Sequence, residues 1–297
     1  MGGHITRRGA LIGSMLSIPA LSLSIRSMEA APSSRVDLTA AFKSLEDKTG
    51  ARLGVSAHDT GSDNRIDYRE NERFAMCSTF KFLASAAVLA RVDRKEEELN
   101  RIVKFNKSDL VPNSPVTEKH VGDGMSLGAI CEAAITRSDN TAGNLILDSL
   151  GGPKELTKYA RSSLGDATFR LDRRETELNE AIPDDPRDTI TPAAFLKDLQ
   201  KTALGDALTK SSRDQLVEWL LANKTGDKRL RAGLPKDWSV GDKTGTSDSG
   251  MANDIAVIWP PERKPILLAV YLYDPKGTPD NRNTIHKKVA ALVAENI

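Results

Sequence analysis

The chain has 297 residues, of which 39% are hydrophobic and 28% are charged, and its formal net charge is +1. These values are ordinary for a globular protein and exclude a disordered tail or a fibre. Basic residues are spread along the chain without interleaved aromatic residues, so no nucleic-acid-binding surface is expected.

Residues 1–31 predict an export signal. Arg7 and Arg8 precede the weakly apolar stretch ALIGSMLSIPALSLSI, which is too short and too rich in serine to span a membrane stably. The segment TRRGAL loosely fits a twin-arginine signal, and an ordinary secretory signal fits as well. We therefore expect an exported protein, periplasmic or secreted, that has no membrane contact after the signal is removed.

The segment 36–73 predicts a helix followed by a hairpin. LTAAFKSLEDKTG has helical apolar spacing and stops at Gly50, and the segments RLGVSAHD and NRIDYRE flank a turn at residues 61–64. The middle of the chain is almost wholly helical in pattern, with Pro153 and Pro192 at first-turn positions. Its predicted helices are 79–92, 127–136, 141–150, 153–164, 192–203 and 212–222.

The C-terminal region returns to strands. SVGDKTGT, DIAVIWP and PILLAVYLY are rich in β-branched residues, and residues 281–295 predict a closing helix. We expect an α/β two-lobe fold in which both chain ends build one antiparallel sheet flanked by helices. Segments 36–73 and 221–297 would form this lobe, residues 74–220 would form an inserted helical lobe, and the cleft between them would hold the site.

The first chemical motif is CSTFK, residues 77–81. On a helix, Ser78 and Lys81 lie on one face a single turn apart, so the two side chains can meet. The unpaired backbone N–H groups of that first turn would also stabilise an oxyanion. On this motif alone, however, a capping serine and a lysine that extends to solvent are the simpler interpretation.

Two further motifs follow, each with an ordinary structural explanation. RSDN, residues 137–140, lies between two predicted helices, where Asp or Asn commonly caps the second helix. DKTGTSDSG, residues 242–250, places Lys243, Thr244 and Thr246 on a strand, and a lysine there also suits an edge strand.

Taken together and in this order, the three motifs resemble those of class A serine β-lactamases and penicillin-binding proteins. The similarity runs from about residue 36 to the end and includes SPVTEKH and SDNTAGNLIL. The segment LDRRETELNEAIPDDPRDTITP is similar to the omega loop of class A β-lactamases, at residues 170–188, which penicillin-binding proteins lack. The resemblance therefore implies a hydrolase that opens the cyclic amide of β-lactams through an acyl-serine intermediate, without a cofactor.

The resemblance also assigns catalytic roles. Ser78 would attack the β-lactam carbonyl, with the oxygen held by the backbone N–H groups of Ser78 and Thr246. Either Lys81, or Glu175 through a water, would accept the Ser78 proton, and this alternative stays open. Ser138 would protonate the lactam nitrogen.

Within the omega loop, Glu175 and Asn179 occupy the positions that hold the deacylating water in this family. Arg173 and Asp188 match the ion pair that closes the loop. Thr176 stands where proline is common.

Substrate binding is implied for a second set of residues. Many members have an arginine at the position of Ala252, and Arg229 matches an alternative position that places a guanidinium in the same spot. Asn113 replaces an aromatic residue at the cleft mouth, and Ser247 stands where some members have glycine and others cysteine. The implied substrate-binding residues are Asn113, Asn140, Arg229, Lys243, Thr244, Gly245, Thr246 and Ser247.

The two cysteines are expected to be unpaired. Exported proteins commonly form disulfides, which would pair Cys77 with Cys131. In the family, however, the usual partner of Cys131 is a cysteine at the position of Ser85, and a cysteine such as Cys77 bridges a position occupied here by Ser247.

No metal or cofactor is expected, because His4, His58, His120 and His286 show no ligand spacing. The implied partners are β-lactam antibiotics and mechanism-based β-lactamase inhibitors, bound by a monomer. A peptidoglycan carboxypeptidase and a penicillin sensor that stays acylated are the alternatives.

Overall fold

The computed structural model describes residues 1–2 and 37–297. The predicted export signal therefore lies outside the described residues, apart from residues 1–2. Within the described part, none of the helices combines the length and apolar character needed to cross a membrane. All structural statements below concern residues 37–297.

The described chain contains eight α-helices, and most agree with the predicted segments to within two or three residues. The largest difference is at the predicted helix 192–203, where the regular helix ends at Leu199 and the chain continues as a wider π-type turn, Gln200–Leu204. The helices are α1 (Thr39–Thr49), α2 (Phe80–Asp93), α3 (Leu127–Thr136), α4 (Asn140–Leu150), α5 (Pro153–Ser163), α6 (Pro192–Leu199), α7 (Lys210–Leu221) and α8 (Pro279–Asn296).

Nine strands are present in the described chain. Four of them are only two residues long, and these four were not predicted. The strands are β1 (Arg52–Asp59), β2 (Arg65–Tyr68), β3 (Phe74–Ala75), β4 (Ile102–Val103), β5 (Met125–Ser126), β6 (Thr189–Ile190), β7 (Ser239–Thr246), β8 (Met251–Trp259) and β9 (Ile266–Tyr273).

Five of these strands form one antiparallel sheet in the order β2-β1-β9-β8-β7. The N-terminal hairpin joins the C-terminal strands through β1 and β9, where Ser56 lies opposite Ala269. One face of the sheet packs on α1 and α8, and its core includes Phe42, Val55 and Val289. The other face packs on the helical region, so the α/β arrangement built from both chain ends is confirmed.

Helix α2 occupies the centre of the helical region. Every residue from Phe80 to Ala90 is buried, as expected for a helix that is apolar on all sides. Lys81 belongs to this run, and its side chain is 0% exposed. A charged group at such a position requires polar partners inside the protein, because burial of an unpaired charge is very costly.

Candidate active site

Ser78 lies in the short helical turn Cys77–Thr79 that leads into α2. Cys77 has a φ of 46°, a left-handed conformation that is uncommon for residues other than glycine. Such backbone conformations are concentrated at functional sites. The turn continues directly into α2, so Lys81 follows Ser78 by one helical turn.

Lys81 is the centre of a buried polar network. Its Nζ lies 2.8 Å from Ser78 Oγ, 2.6 Å from Asn140 Oδ1 and 3.0 Å from the carbonyl oxygen of Ser138. It also lies 2.8 Å from Glu175 Oε1. Burial lowers the pKa of the Lys81 ammonium, and the Glu175 carboxylate opposes that shift. The interpretation of Lys81 as a lysine that extends to solvent is therefore wrong.

Glu175 is held on both sides of its carboxylate. Ser78 Oγ donates to Oε1 at 3.0 Å, and Asn179 Nδ2 donates to Oε2 at 2.6 Å. Its backbone N–H donates to Asn144 Oδ1 at 2.9 Å, and Asn144 Nδ2 donates to its carbonyl at 2.8 Å. The peptide bond between Glu175 and Thr176 is cis. Asn144, on α4, was not identified from the sequence.

The neck of the omega loop is closed by a buried carboxylate. Asp188 is 0% exposed, and its Oδ2 lies 2.6 Å from Arg173 Nε. Its Oδ1 accepts the backbone N–H groups of Asp172 and Arg173 at 2.7 and 2.9 Å. The structure thus brings together the two residues that the resemblance pairs, and three donors satisfy the buried carboxylate.

The segment 137–140 serves both structure and site. Asp139 caps α4 by accepting the Ala142 N–H at 2.8 Å, and it also accepts the N–H groups of Val116 and Thr117. The capping interpretation of RSDN is therefore correct, and it fixes the residues on either side. Ser138, with a φ of 56°, and Asn140 both face the lysine network.

Strand β7 supplies the opposite wall. Lys243 Nζ donates to Ser138 Oγ at 3.0 Å and to the Thr244 carbonyl at 2.7 Å. Burial, followed by repulsion from Lys81, holds the pKa of Lys243 well below its ordinary value. A Cβ at Gly245 would lie 2.7 Å from the Met76 carbonyl oxygen, so glycine allows β7 to approach the segment before Ser78.

The side chain of Arg229 contacts β7 and the neighbouring strand β8. Its Nη1 donates to the carbonyls of Gly245 and Asn253 at 2.9 and 2.6 Å, and its Nη2 donates to Thr246 Oγ1 at 2.7 Å. The residue is 9% exposed. Asn253 Nδ2 also donates to the carbonyls of Ala75 and Met76, at 2.9 and 3.0 Å, and so holds the segment before Ser78 against the strand. Asn253 was not identified from the sequence.

These elements enclose a cleft of about 660 Å³. Thr225, another residue that the sequence did not identify, lies there with its hydroxyl 2.6 Å from that of Thr244. Asn113 is exposed at the mouth, where its Nδ2 donates to the Ser138 carbonyl at 3.4 Å. The predicted residues that line the cleft are Ser78, Asn113, Ser138, Asn140, Asn179, Arg229, Thr244, Thr246 and Ser247.

Both cysteines are buried and free, as expected. Burial raises the pKa of the Cys131 thiol to about 12. Burial also raises the pKa of Cys77. Across residues 37–297, His, Cys, Asp and Glu side chains form no group of three or more that could hold a metal ion.

A serine hydroxyl bonded to a buried lysine and a glutamate, beside a second serine–lysine pair, defines a serine acyl-transfer enzyme. The model of the β-lactamase enzyme family matches residues 37–297. The chain therefore belongs to that family, and within it to class A, whose members hydrolyse β-lactams.

Known β-lactamases are similar in sequence to this chain over most of its length. β-Lactamase OXY-2 of Klebsiella oxytoca is 50% identical over 253 residues, covering 85% of this chain and 87% of the relative. β-Lactamase CTX-M-97 of Escherichia coli is 49% identical over 252 residues, covering 85% and 86%.

Solved structures agree with this assignment. An ancestral (GNCA) class A β-lactamase superimposes with a TM-score of 0.85 at 59% identity, covering 87% of this chain and 99% of that one. The putative class A β-lactamase PenP from Rhodopseudomonas palustris has a TM-score of 0.85 at 57% identity, covering 86% and 98%. The resemblance to class A β-lactamases is confirmed.

Proposed function

We propose that this β-lactamase hydrolyses penicillins and cephalosporins by acylation of Ser78 and by deacylation with a water activated by Glu175. One observation carries the proposal: Ser78 Oγ, Lys81 Nζ and Glu175 Oε1 lie within 3.0 Å of one another. A weak nucleophile thus contacts two groups that can accept its proton.

Acylation begins when Ser78 Oγ attacks the β-lactam carbonyl carbon. Its proton passes to Lys81 or, through a water, to Glu175; Lys81 Nζ and Glu175 Oε1 lie 2.8 and 3.0 Å from Ser78 Oγ. The backbone N–H groups of Ser78 and Thr246 hold the developing oxyanion. Loss of one such donor typically costs about 3 kcal/mol of transition-state stabilisation.

Ring opening requires a proton on the lactam nitrogen. Ser138 supplies it, because its hydroxyl lies on the cleft wall and accepts a hydrogen bond from Lys243 Nζ at 3.0 Å. A lysine that donates to the serine oxygen favours release of the serine proton to the substrate.

Deacylation depends on Glu175 and Asn179. The 2.6 Å hydrogen bond from Asn179 fixes one carboxylate oxygen, and the two side chains together hold a water beside the acyl-serine. Glu175 removes a proton from that water, which attacks the ester. The closed Arg173–Asp188 pair keeps the loop that carries both residues in place.

Substrate recognition uses the other wall of the cleft. The substrate carboxylate binds Lys243, Thr244, Thr246 and Arg229, and Gly245 allows the strand to lie close to the nucleophile. Asn140 binds the amide of the substrate side chain. Asn113 and Ser247 line the mouth and the end of the strand.

We also propose that mechanism-based inhibitors acylate Ser78, since they enter by the same attack. The enzyme acts as a monomer that is periplasmic or secreted after removal of residues 1–31. Its α/β lobe comprises 36–73 and 221–297, and its helical lobe comprises 74–220.

Turnover of a chromogenic cephalosporin tests the function. Sustained turnover of many equivalents per enzyme is expected. A single stoichiometric burst, with the acyl group retained on Ser78, would favour a penicillin sensor or a slow penicillin-binding protein instead.

A further inference from the structure

A second cavity lies between residues 181–187 of the omega loop and one end of the main sheet. That end is formed by Arg52, Met251 and Tyr273, the terminal residues of β1, β8 and β9, which lie side by side. The cavity has a volume of about 440 Å³, within the range of small-molecule sites, about 300–1,000 Å³. None of the residues that line it lines the cleft around Ser78, so the two sites are separate.

Part of the cavity wall is apolar. Phe74 and Met251 are 2% and 3% exposed, and Ile182 of the loop is 50% exposed. The Arg52 guanidinium lies 4.1 Å from the centroid of the Phe74 ring, and Glu72 accepts its Nε and Nη2 at 3.0 and 2.8 Å. The wall is therefore fixed and suits an aromatic or aliphatic group.

Arg73, on the same wall, is bound at only one of its nitrogens. Its Nη1 donates to the Thr168 carbonyl at 2.9 Å and to Thr189 Oγ1 at 3.0 Å, so it joins the chain on both sides of the omega loop. Its Nε and Nη2 have no hydrogen-bond partner among the residues that the structure describes, and no carboxylate of those residues pairs with it. The side chain is exposed, so these two donors are accessible.

Nε and Nη2 are the donors with which other arginines of this chain hold a carboxylate. Arg52, Arg101 and Arg170 each direct both groups at one carboxylate, at distances between 2.7 and 3.0 Å. Two N–H groups on one edge of a planar guanidinium match a carboxylate, and such charge-assisted bonds are about twice as strong as neutral ones. The same two donors of Arg73 are available to the carboxylate of a ligand.

The other charged groups of the wall are paired, apart from one. Arg52 pairs with Glu72 at 2.8 Å, and Arg187 pairs with Asp185 at 2.6 Å. Asp184 is exposed and forms no ion pair within residues 37–297. Its charge opposes an anionic ligand, but the opposition is small because an exposed charge is screened by water and salt.

We propose that this cavity binds a small amphipathic carboxylate, an organic acid with an aromatic or aliphatic body. The carboxylate binds Nε and Nη2 of Arg73, and the body lies against Phe74 and Met251. The ligand thereby connects the neck of the omega loop, through Arg73, with the outer segment 181–187. Binding at this site is independent of the β-lactam chemistry proposed for Ser78 and Glu175.

Titration with 4-phenylbutyrate, followed by the amide chemical shifts in NMR spectra, tests the site. A dissociation constant on the order of 1 mM is expected for a ligand of this size. The neutral 4-phenylbutanamide has the same body and should bind about tenfold more weakly or worse, because it forms no ion pair with the guanidinium. Equal affinity for the two probes would overturn the proposal.

Substitutions at the two unpaired charges give opposite expectations. Arg73→Gln should weaken binding of 4-phenylbutyrate about tenfold or more and leave 4-phenylbutanamide unaffected. Asp184→Asn should tighten binding of 4-phenylbutyrate about twofold to fivefold at low salt. Asn accommodates the φ of 62° at this position, so Asp184→Asn decides the question even if Arg73→Gln fails to fold. Arg161→Gln, at an exposed arginine outside the cavity, should bind like the natural chain.

The residues whose shifts change distinguish this cavity from the substrate cleft. Changes are expected at residues 73–75 and 181–189, with residues 243–247 unaffected. Changes confined to 243–247, with competitive inhibition of cephalosporin turnover, would place the probe in the cleft and reject the proposal. Unaltered affinity in Arg73→Gln, or weaker binding in Asp184→Asn, would reject it as well. If the chain failed to turn over β-lactams, these binding results would be unchanged, so the two failures are distinguishable.

Discussion

Gly143 on α4 faces Lys81 so closely that a Cβ at residue 143 would lie 2.7 Å from Lys81 Cε. The lysine cannot easily move aside, because its Nζ is bound by Ser78, Asn140 and Glu175. The smallest residue of α4 thus determines where the proton-transfer group lies.

Gly143→Ala should therefore slow acylation, by about tenfold to a hundredfold, because small displacements of a catalytic group have large effects. Stopped-flow acylation by a chromogenic cephalosporin measures this directly. Gly128→Ala, a helical glycine on α3, serves as the control and should leave acylation unchanged. Normal acylation in Gly143→Ala would show that Lys81 tolerates displacement.

Replacement of Glu175 should separate the two halves of the reaction. Glu175→Ala removes the group that activates water, so deacylation is expected to fall about 10²- to 10⁴-fold and the acyl-enzyme to accumulate. The mass of the intact protein after mixing with a penicillin reports the adduct. Glu177→Ala, an exposed glutamate in the same loop, should turn over normally. Turnover of Glu175→Ala at the natural rate would refute the assignment.

Arg229 should contribute to recognition of the substrate carboxylate. A hydrogen bond to a charged group contributes about 1.5–3 kcal/mol, so Arg229→Met is expected to reduce kcat/KM about tenfold or more. Steady-state kinetics on a penicillin measures the loss, and Lys228→Met, at an exposed neighbouring lysine, provides the control. Equal kcat/KM values for Arg229→Met and the natural chain would exclude Arg229 from binding.

Cys131 offers a site for a stabilising disulfide. Both Cys131 and Ser85 are 0% exposed, and Ser85 stands at the position from which the usual family bridge to Cys131 is made, so Ser85→Cys should pair with it under oxidising conditions. Closing the loop between residues 85 and 131 stabilises the fold by up to about 4 kcal/mol in the chain-entropy model. Urea unfolding with and without reductant measures the gain, and Ser85→Ala is the control. The unfolded variant contains three cysteines. Only one titratable thiol remains if the bond forms, whereas three free thiols would show that it does not form.

His286 should make the fold sensitive to acid. Burial lowers the pKa of this imidazole from 6.5 to about 3, and its Nε2 lies 2.9 Å from the Ala252 carbonyl oxygen. Between these pH values His286 binds a proton in the unfolded chain but not in the native state, so stability falls as pH decreases through this range. Relative to His286→Gln, the folding constant of the natural chain should fall by up to tenfold per pH unit.

Unfolding curves at pH 4 to 7 would measure this effect of His286. The exposed His120 offers the matched substitution, His120→Gln, whose profile should follow that of the natural chain. Superimposable profiles for His286→Gln and the natural chain would contradict the burial argument.

The sequence predicted the main helices and sheet strands because their periodicity and their Gly and Pro boundaries are local signals. The short strand pairs, such as Phe74–Ala75 with Thr189–Ile190, carry no such signal, since two residues show no period. Likewise, the pattern of α6 continues to residue 203, but the chain widens into a π-type turn after Leu199.

The difference between local sequence signals and contacts between distant segments also applies to the site. Ser78, Lys81, Ser138 and Lys243 lie in short motifs with a known chemistry. Asn144, Thr225 and Asn253 act through contacts between distant segments, and a lone asparagine or threonine in a helix or strand predicts none of them.

The pairing of β1 with β9 joins residues 52–59 to residues 266–273. This sheet cannot be completed during synthesis until almost the whole chain has left the ribosome, and closing so long a loop is slow. The wall that carries Lys243 and Thr246 forms on the same sheet. The nascent chain therefore has no assembled acyl-transfer site, and the enzyme becomes active only once its first and last strands have met.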